Sequence, residues 1–448
     1  MTTFQPIQHP SMTIASKTAR ENFSFGDLFD VISQEPHSKM SIDLVNSCGS
    51  DYASPTRDDN DPSTLNCEVE MSDKLIEKHP FNKSGRTIFS IRRARRDEIV
   101  SICEWRNAEI GYTVSPYYFL ILYDAYPDGW FTAVDEDDKF IGNIFGMNLS
   151  DKVAFGGLFA VKEPYRCQGV GKALWETRLR HIDSRNLAIN SVLSRVPSNL
   201  KKGMTVSFQS ARYFTKLTNS MIAKLVARVG EKGASKSRKG TRVVSMNRIM
   251  KEDHNRYKVL FKELTRYDAS INVSDRSKFL THLIESVKYT GTPTFTYLAL
   301  QNSAKNSEDI VGYSVLRPMH DGFTIGPLYA NSVDIAESLL IRSLNELILM
   351  PIASPSKDML NNCHIFYMSV INDDNMCYGE SRHNSKDQNL IQERECQQDY
   401  SRHRAVQFFI EILSMELELD SRRMYSKENI PLSLDKVYAL TSIETFLL

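Results

Sequence analysis

The sequence has no apolar run near the roughly 18 residues that a membrane-crossing helix needs, and it has no excess charge of either sign. Its 55 Lys and Arg balance 55 Asp and Glu. The first absence speaks against a membrane partner; the second leaves no global field to draw nucleic acid. Cysteine is also scarce. The seven copies, at 48, 67, 103, 167, 363, 377 and 396, are odd in number and scattered, which suits reduced thiols inside a cell better than a disulfide framework. The first 20 residues lack acids, but Pro6 and Pro10 interrupt any amphipathic helix there, which argues against a mitochondrial presequence. The expectation is an intracellular, cytoplasmic protein. Cys377, His383, Cys396 and His403 lie in one polar stretch, residues 372–404. They lack the short paired spacings of a zinc site, so no metal is expected.

What is present is ordinary globular material, 41% apolar and 25% charged over 448 residues, enough for two or three domains. Residues 1–86 are rich in Ser, Thr, Asp, Asn and Pro without a sustained period, and read as a disordered tail. Phe23 to Ile32 is its only apolar cluster and fits one short helix. From residue 87 to 229 strands and helices alternate: a strand at Thr87–Ala94, helices at Asp97–Trp105 and Ser115–Tyr126, then strands at Trp130–Val134, Phe140–Met147 and Val153–Val161. A helix opening at Gly171 puts Leu174, Trp175, Leu179 and Ile182 on one face as a core stripe, and Leu187–Leu193 follows as a strand parallel to the one before the loop. Arg92, Arg93, Arg95 and Arg96 span a strand–helix junction and read as a solvated face, not as a nucleic-acid site. Residues 230–240 form a basic, glycine-containing linker. Beyond it, 241–448 repeats the succession of helices, strands and a long amphipathic helix.

The stretch around which the first lobe is organised is Phe155 to Trp175. A short apolar strand enters a loop with Arg166, Gly169 and Gly171 in the pattern R-x-x-G-x-G, and a helix leaves it. Glycines let the backbone approach a ligand closely. The helix start adds unpaired N–H groups and the positive end of its dipole, a ready anion site suited to a pyrophosphate. A nucleotide P-loop fails here, because Arg166 stands at its first glycine and Ala173 at its magnesium-binding Ser/Thr. A dinucleotide fingerprint fails because Leu174 occupies the third glycine.

The surviving pattern resembles the acetyl-CoA loop of the GNAT superfamily of N-acetyltransferases, with Leu158–Val161 and Pro164-Tyr-Arg166 similar to that family's strand end. The order of elements is also that family's. The resemblance implies a mixed-sheet α/β (α+β) fold in which two parallel strands splay and admit the pantetheine arm. It implies acetyl-CoA as co-substrate, main-chain contacts from Phe159, Ala160 and Val161, and a cradle of Arg166, Cys167, Gln168, Gly169, Val170, Gly171 and Lys172. Tyr267-Asp-Ala-Ser-Ile271, Gly326-Pro-Leu-Tyr-Ala330 and Lys436-Val-Tyr-Ala439 resemble the YitH-type acetyltransferase domain, which follows an ordinary GNAT domain in its family. The implied architecture is two tandem GNAT-like lobes. The second has no R-x-x-G-x-G: Pro327 removes an amide donor, Asp334 would repel a pyrophosphate, and Asn331 or Ser332 would cap the helix. It is expected not to hold CoA but to wall the acceptor site or brace the first lobe.

The resemblance further implies a helical tyrosine that protonates the departing thiolate. The nearest stretch is Arg212-Tyr-Phe-Thr-Lys-Leu217, with Phe214 where the family has its tyrosine and Tyr213 one position early, about 100° around a helix. Tyr213 is the candidate acid. Glu104, with Asp151 and Glu163 behind it, is the candidate base. Two functions follow: an acyl-CoA-dependent N-acyltransferase acting on a small-molecule or peptide amine, or a non-catalytic acyl-CoA-binding or scaffold protein. The acceptor and the oligomeric state are not readable from the sequence.

Overall fold

A computed structural model describes residues 75–80, 88–110, 114–216, 241–272, 274–290, 294–302, 308–319, 322–353, 364–371 and 414–441, with single positions between 216 and 241. The expected helix at Phe23–Ile32, the linker 230–240 and the insert 372–404 lie outside the described residues.

The first lobe runs β1 (Leu75–Pro80), β2 (Ile88–Arg93), α1 (Glu98–Ile110), α2 (Pro116–Ala125), β3 (Trp130–Val134), β4 (Phe140–Asn148), β5 (Val153–Val161), α3 (Val170–Ile182), β6 (Asn186–Val192), α4 (Val196–Leu200) and β7 (Thr205–Lys216). The second runs β8 (Thr241–Ser245), α5 (Met246–Glu252), α6 (His254–Asn272), α7 (Ser277–Ile284), α8 (Val287–Thr290), β9 (Phe295–Asn302), β10 (Glu308–Met319), β11 (Gly322–Ala330), α9 (Val333–Ala353), β12 (His364–Ile371), β13 (Glu416–Tyr425) and β14 (Val437–Ala439). The local causes are legible. Pro116 opens α2 at its first turn, where a missing N–H costs nothing. Ser245 accepts from the Arg248 amide and caps α5.

Thirteen of the described strands form one sheet in the order β1-β2-β3-β4-β5-β6-β13-β7-β12-β11-β10-β9-β8, and β14 joins at β11. The exchange at its middle is the main architectural finding. β13, late in the chain, lies between β6 and β7, while β7 pairs with β12 of the second lobe. Each lobe thus lends a strand to the other. Side chains reinforce the splice: Arg212 Nε donates to Glu418 at 2.6 Å, Gln209 to Asp420 at 2.9 Å, and the Ser210 and Ser421 hydroxyls meet at 2.8 Å.

Two layers of helix cover the sheet. On one face α3 packs over Phe89, Ile91, Phe131, Ile141 and Ile144. On the other, α1 and α2 share a core with Trp130, Phe145 and Phe155 that continues into Leu264, Phe279 and Leu283 of the second lobe. Full burial of each such side chain is worth about 1.5–3 kcal/mol, so this common core binds the lobes firmly. Tyr118 meets Phe279 edge-on at 6.2 Å between centroids, Arg317 stacks on Tyr118 at 4.0 Å, and the Tyr289 hydroxyl donates to Asp124 at 2.6 Å.

Several expectations need correction. β1 falls inside the stretch read as a disordered tail; it pairs antiparallel with β2. Arg212–Lys216 is not helical: Thr205–Lys216 is one strand held between β13 and β12. Leu179, assigned to the core stripe of α3, is 42% exposed. Of the strand expected over Lys436–Ile443, the described residues form Val437–Ala439. The four arginines are not merely solvated. Arg92 is buried and bonds Glu98 and Asp138, Arg95 pairs with Asp138, Arg96 with Asp124, and Arg93 with Asp128. No described helix is long and apolar enough to cross a membrane.

Candidate functional site

β5 and β6 pair in parallel from Val153↔Asn186 to Gly156↔Ile189 and then part, although β5 continues to Val161 and β6 to Val192. A wedge therefore opens between two neighbouring strands. On its other edge β5 pairs with β4, and there Leu158 and Phe159 face the single residue Ile144. That is a bulge, which leaves strand main-chain groups outside the regular ladder. Leu158 holds φ +49°, an uncommon value for a residue with a side chain. The buried amide of Asn143 donates to the Leu158 carbonyl at 2.7 Å and pins this geometry.

Beyond Val161 the chain turns through a single 3-10 turn, Glu163–Tyr165, into the loop. Arg166 Nε donates to the Val161 carbonyl at 2.9 Å, and Gln168 donates to the Pro164 carbonyl at 2.6 Å. Two residues take left-handed backbone: Cys167 at φ +61° and Gly169 at φ +96°. Gly169 is the N-cap of α3; no side chain caps that helix and no acid stands in its first turn. The dipole's positive end thus keeps its full pull on an anion. A Cβ on Gly171 would stand 3.3 Å from Phe159 Cζ and 3.8 Å from Val161 Cγ2. Loop and strand end therefore meet at Gly171, where a side chain would press on the Phe159 ring. Phe159, 44% exposed, lines it. Lys172 is exposed and 3.8 Å from Glu176. Burial and the neighbouring Asp135 carboxylate raise the pKa of Tyr165.

Of the sequence-chosen residues, Phe159 to Val161 and Arg166 to Lys172 are brought together. Glu104 is exposed on α1, whose later residue Glu109 reaches Arg166 at 3.8 Å. Tyr213 is not part of this assembly. It lies on β7 with its side chain buried among Tyr297, Leu316, Ile325 and Leu328 of the second lobe. Burial, with Asp420 nearby, raises its pKa. In the sheet order β7 lies three strands from β5.

Three further residues escaped the sequence reading. Trp175, taken as simple core, has the Arg178 guanidinium over its ring at 4.0 Å and the Lys202 ammonium at 3.9 Å. Arg178 is 1% exposed, and burial alone pulls its pKa down to about 9. Lys202 is lowered by burial and then by Arg178 and Arg195. The legible signal was the pair Gly156-Gly157 inside a strand, which marks a close approach.

The second lobe repeats the wedge and fills it. β11 and β12 pair in parallel only from Gly322↔His364 to Ile325↔Tyr367, and beyond that β14 pairs with β11 at Leu328↔Ala439 and Tyr329↔Val437. A Cβ on Gly326 would collide with the Leu440 carbonyl oxygen. At the head of α9, Asp334 stands in the first turn and the Ser332 hydroxyl accepts from the Ile335 amide at 3.5 Å. No group of His, Cys, Asp and Glu able to hold a metal occurs among the described residues.

The geometry agrees with two sequence-family matches: residues 99–201 fit the acetyltransferase (GNAT) family, and residues 264–392 fit an acetyltransferase (GNAT) domain. The chain is a two-domain GNAT protein. Between them the two matches span just over half of its length. An uncharacterized protein of Caenorhabditis elegans is 24% identical over 216 residues, 47% of this chain and 60% of that one, so the match takes in less than two thirds of that relative. Among solved structures, a Pyrococcus horikoshii protein assigned provisionally as an acetyltransferase covers 80% of this chain and 96% of its own, at 16% identity and a TM-score of 0.48. A GCN5-related N-acetyltransferase from Sphaerobacter thermophilus covers 77% and 98% at 11% identity and a TM-score of 0.43. A tandem GNAT protein from the clavulanic acid biosynthesis pathway covers 76% and 99% at 12% identity and a TM-score of 0.41.

Proposed function

We propose that the first lobe transfers an acyl group from acyl-CoA to an amine by direct attack in a ternary complex, with acetyl-CoA as the simplest donor. The observation that carries this reading is the coincidence, at one place, of the β5–β6 wedge, the Leu158–Phe159 bulge and the uncapped start of α3. The wedge offers strand edge to a pantetheine arm, and Gly169 to Lys172 offer amides to its pyrophosphate. CoA supplies an activated thioester when bound. The chain's own task is to hold the reacting groups and to place an N–H where negative charge develops on the carbonyl oxygen; the bulge on β5 is that donor. As the amine nitrogen bonds to the carbonyl carbon, the C–S bond breaks, the nitrogen sheds its excess proton, and the departing thiolate takes up that proton through water. The amine must first lose its own ammonium proton. Glu104, exposed on α1, is the proposed acceptor of that proton, through water.

The second lobe, in this reading, binds no CoA, because β14 lies where the arm would enter. It serves instead to wall the acceptor side and to complete the first lobe's sheet through β13. The acceptor is a small-molecule or peptide amine. Calorimetry with acetyl-CoA should give one site per chain, and thiol release should appear with some member of an amine panel. Glu104→Gln should lower turnover while leaving acetyl-CoA binding intact. Binding without thiol release from any amine would replace the reading with that of an acyl-CoA-binding scaffold. A stoichiometry of two would refute the role given to β14.

A further inference from the structure

Arg178 is the best-built unused group in the molecule. Gly146 of β4 and Gly156 of β5 are direct cross-strand partners. With no Cβ on either, they leave a trench across the sheet, and the arginine stem lies in it: a Cβ on Gly146 would stand 2.7 Å from Arg178 Cγ, and one on Gly156 2.7 Å from Nη1. The trench delivers the guanidinium to Gly156, where the pairing of β5 with β6 ends, at the vertex of the wedge. Its Nε and Nη2 are buried and have no hydrogen-bond partner among the described residues. Among the described residues no carboxylate contributes to its electrostatics, and its neighbours on Trp175 and beyond, Lys202 and Arg195, are themselves cationic. Leaving a buried cation without a counter-charge is costly. Such a group is retained most readily where a ligand supplies the charge.

The bulge lies two to three residues further along β5 than Gly156, less than about 10 Å at the rise of a strand. A thioester carbonyl held at the bulge therefore places the far end of a short acyl group near the guanidinium. Resting on the acyl-CoA reading of the same wedge, we infer that Arg178 is a specificity-determining residue that pairs with a terminal carboxylate on the acyl group, so that the preferred donor is a short dicarboxylic acyl-CoA. The planar fork of an arginine suits a carboxylate in two-point contact, and Trp175 holds the fork flat from one side.

The test titrates the full chain with acetyl-CoA, malonyl-CoA, succinyl-CoA and dephospho-acetyl-CoA, by calorimetry and by tryptophan fluorescence. The expected result is that malonyl- or succinyl-CoA binds at least about tenfold tighter than acetyl-CoA, with a change in emission as the carboxylate meets the group stacked on Trp175. Arg178→Met should erase that preference while leaving the acetyl-CoA affinity within about threefold, and Arg178→Lys should restore part of it. Equal binding of all the acyl groups by the unaltered chain overturns the inference and leaves the acyl-CoA reading standing, whether or not the methionine variant folds. A loss in Arg178→Met that is shared by acetyl-CoA and vanishes with the dephospho form assigns the arginine to the 3′-phosphate, and overturns it too. Failure of every thioester to bind removes both readings at once.

Discussion

Replacing Gly171 by alanine separates the cofactor cradle from the stability of the fold. The residue lies in the first turn of α3, and alanine is favoured over glycine in a helix by about 0.5–1 kcal/mol. Against that gain stands one tight contact, 3.3 Å from the new Cβ to Phe159 Cζ, and the Phe159 ring is 44% exposed and can swing aside. The two effects nearly cancel, so the melting temperature should hardly change. Binding should respond differently, because the added carbon stands between the loop and the strand end, where phosphate and pantetheine must approach main chain. Losing one hydrogen bond to a charged phosphate costs about 1.5–3 kcal/mol, which is a tenfold to hundredfold weaker Kd for acetyl-CoA. Calorimetry and a thermal melt on the same sample read both quantities. Gly169→Ala is the companion: at φ +96° it carries about 1–2 kcal/mol of backbone strain and should lose stability as well as affinity. A Gly171→Ala protein that melts normally and binds acetyl-CoA within twofold of the unaltered chain would show that no anion cradle exists there.

Asn143→Leu should leave the Leu158 carbonyl without its donor and cost about 1–3 kcal/mol in a denaturant melt; loss of the pinned bulge should lower kcat more than it raises the acetyl-CoA Kd. Asp124 should show a pH signature. Burial raises its pKa, but hydrogen bonds from Arg96 and Tyr289 outweigh it, and the folded pKa lies below the ordinary value. Its contribution is therefore present in full above about pH 4 and fades as the pH falls through the ordinary carboxylate value of about 3.9 toward the lower folded one. The stability gap between the unaltered chain and Asp124→Asn should be constant from pH 5 to 7 and narrow in more acidic buffer; a gap that widens there would refute the assignment. A fragment of residues 75–229 lacks β13 and exposes facing edges of β6 and β7. It should show no cooperative melt by circular dichroism, and a sharp transition would show that the exchange is dispensable.

The first lobe was legible because its determinants are local. Alternating apolar residues, Pro116 at a helix start and the Arg166–Gly171 loop each specify structure within a few residues. The errors cluster where partners are far apart in the chain. Arg212–Lys216 contains nothing that forbids a helix, and it becomes a strand because β12 and β13, from the second lobe, bond to both of its edges. Tyr213 goes with it into a core shared with the second lobe. Arg178 was missed for a related reason. Counted along α3 it is an ordinary arginine, and only the pairing of Gly146 with Gly156 shows that a slot was left for it.

The two wedges explain why one chain carries the same fold twice with unequal contents. In both lobes two parallel strands part after four paired positions, and parted strands expose main-chain donors and acceptors that something must satisfy. The second lobe satisfies them from within. Val437, Ala439 and Leu440 are all buried, and β14 bonds the freed edge of β11. Removing that strand would uncover apolar side chains worth about 1.5–3 kcal/mol each when large, against a typical total stability of about 5–15 kcal/mol, so it is structure and not a lid. In the first lobe no described strand takes the equivalent place, and the wedge is bordered instead by exposed Phe159, the glycines of the loop and the Arg178 guanidinium, whose Nε and Nη2 have no hydrogen-bond partner among the described residues. The lobe that fills its own wedge gains rigidity and gives β13 to its neighbour. The neighbour, completed from outside, can leave its wedge to a ligand without forfeiting its fold.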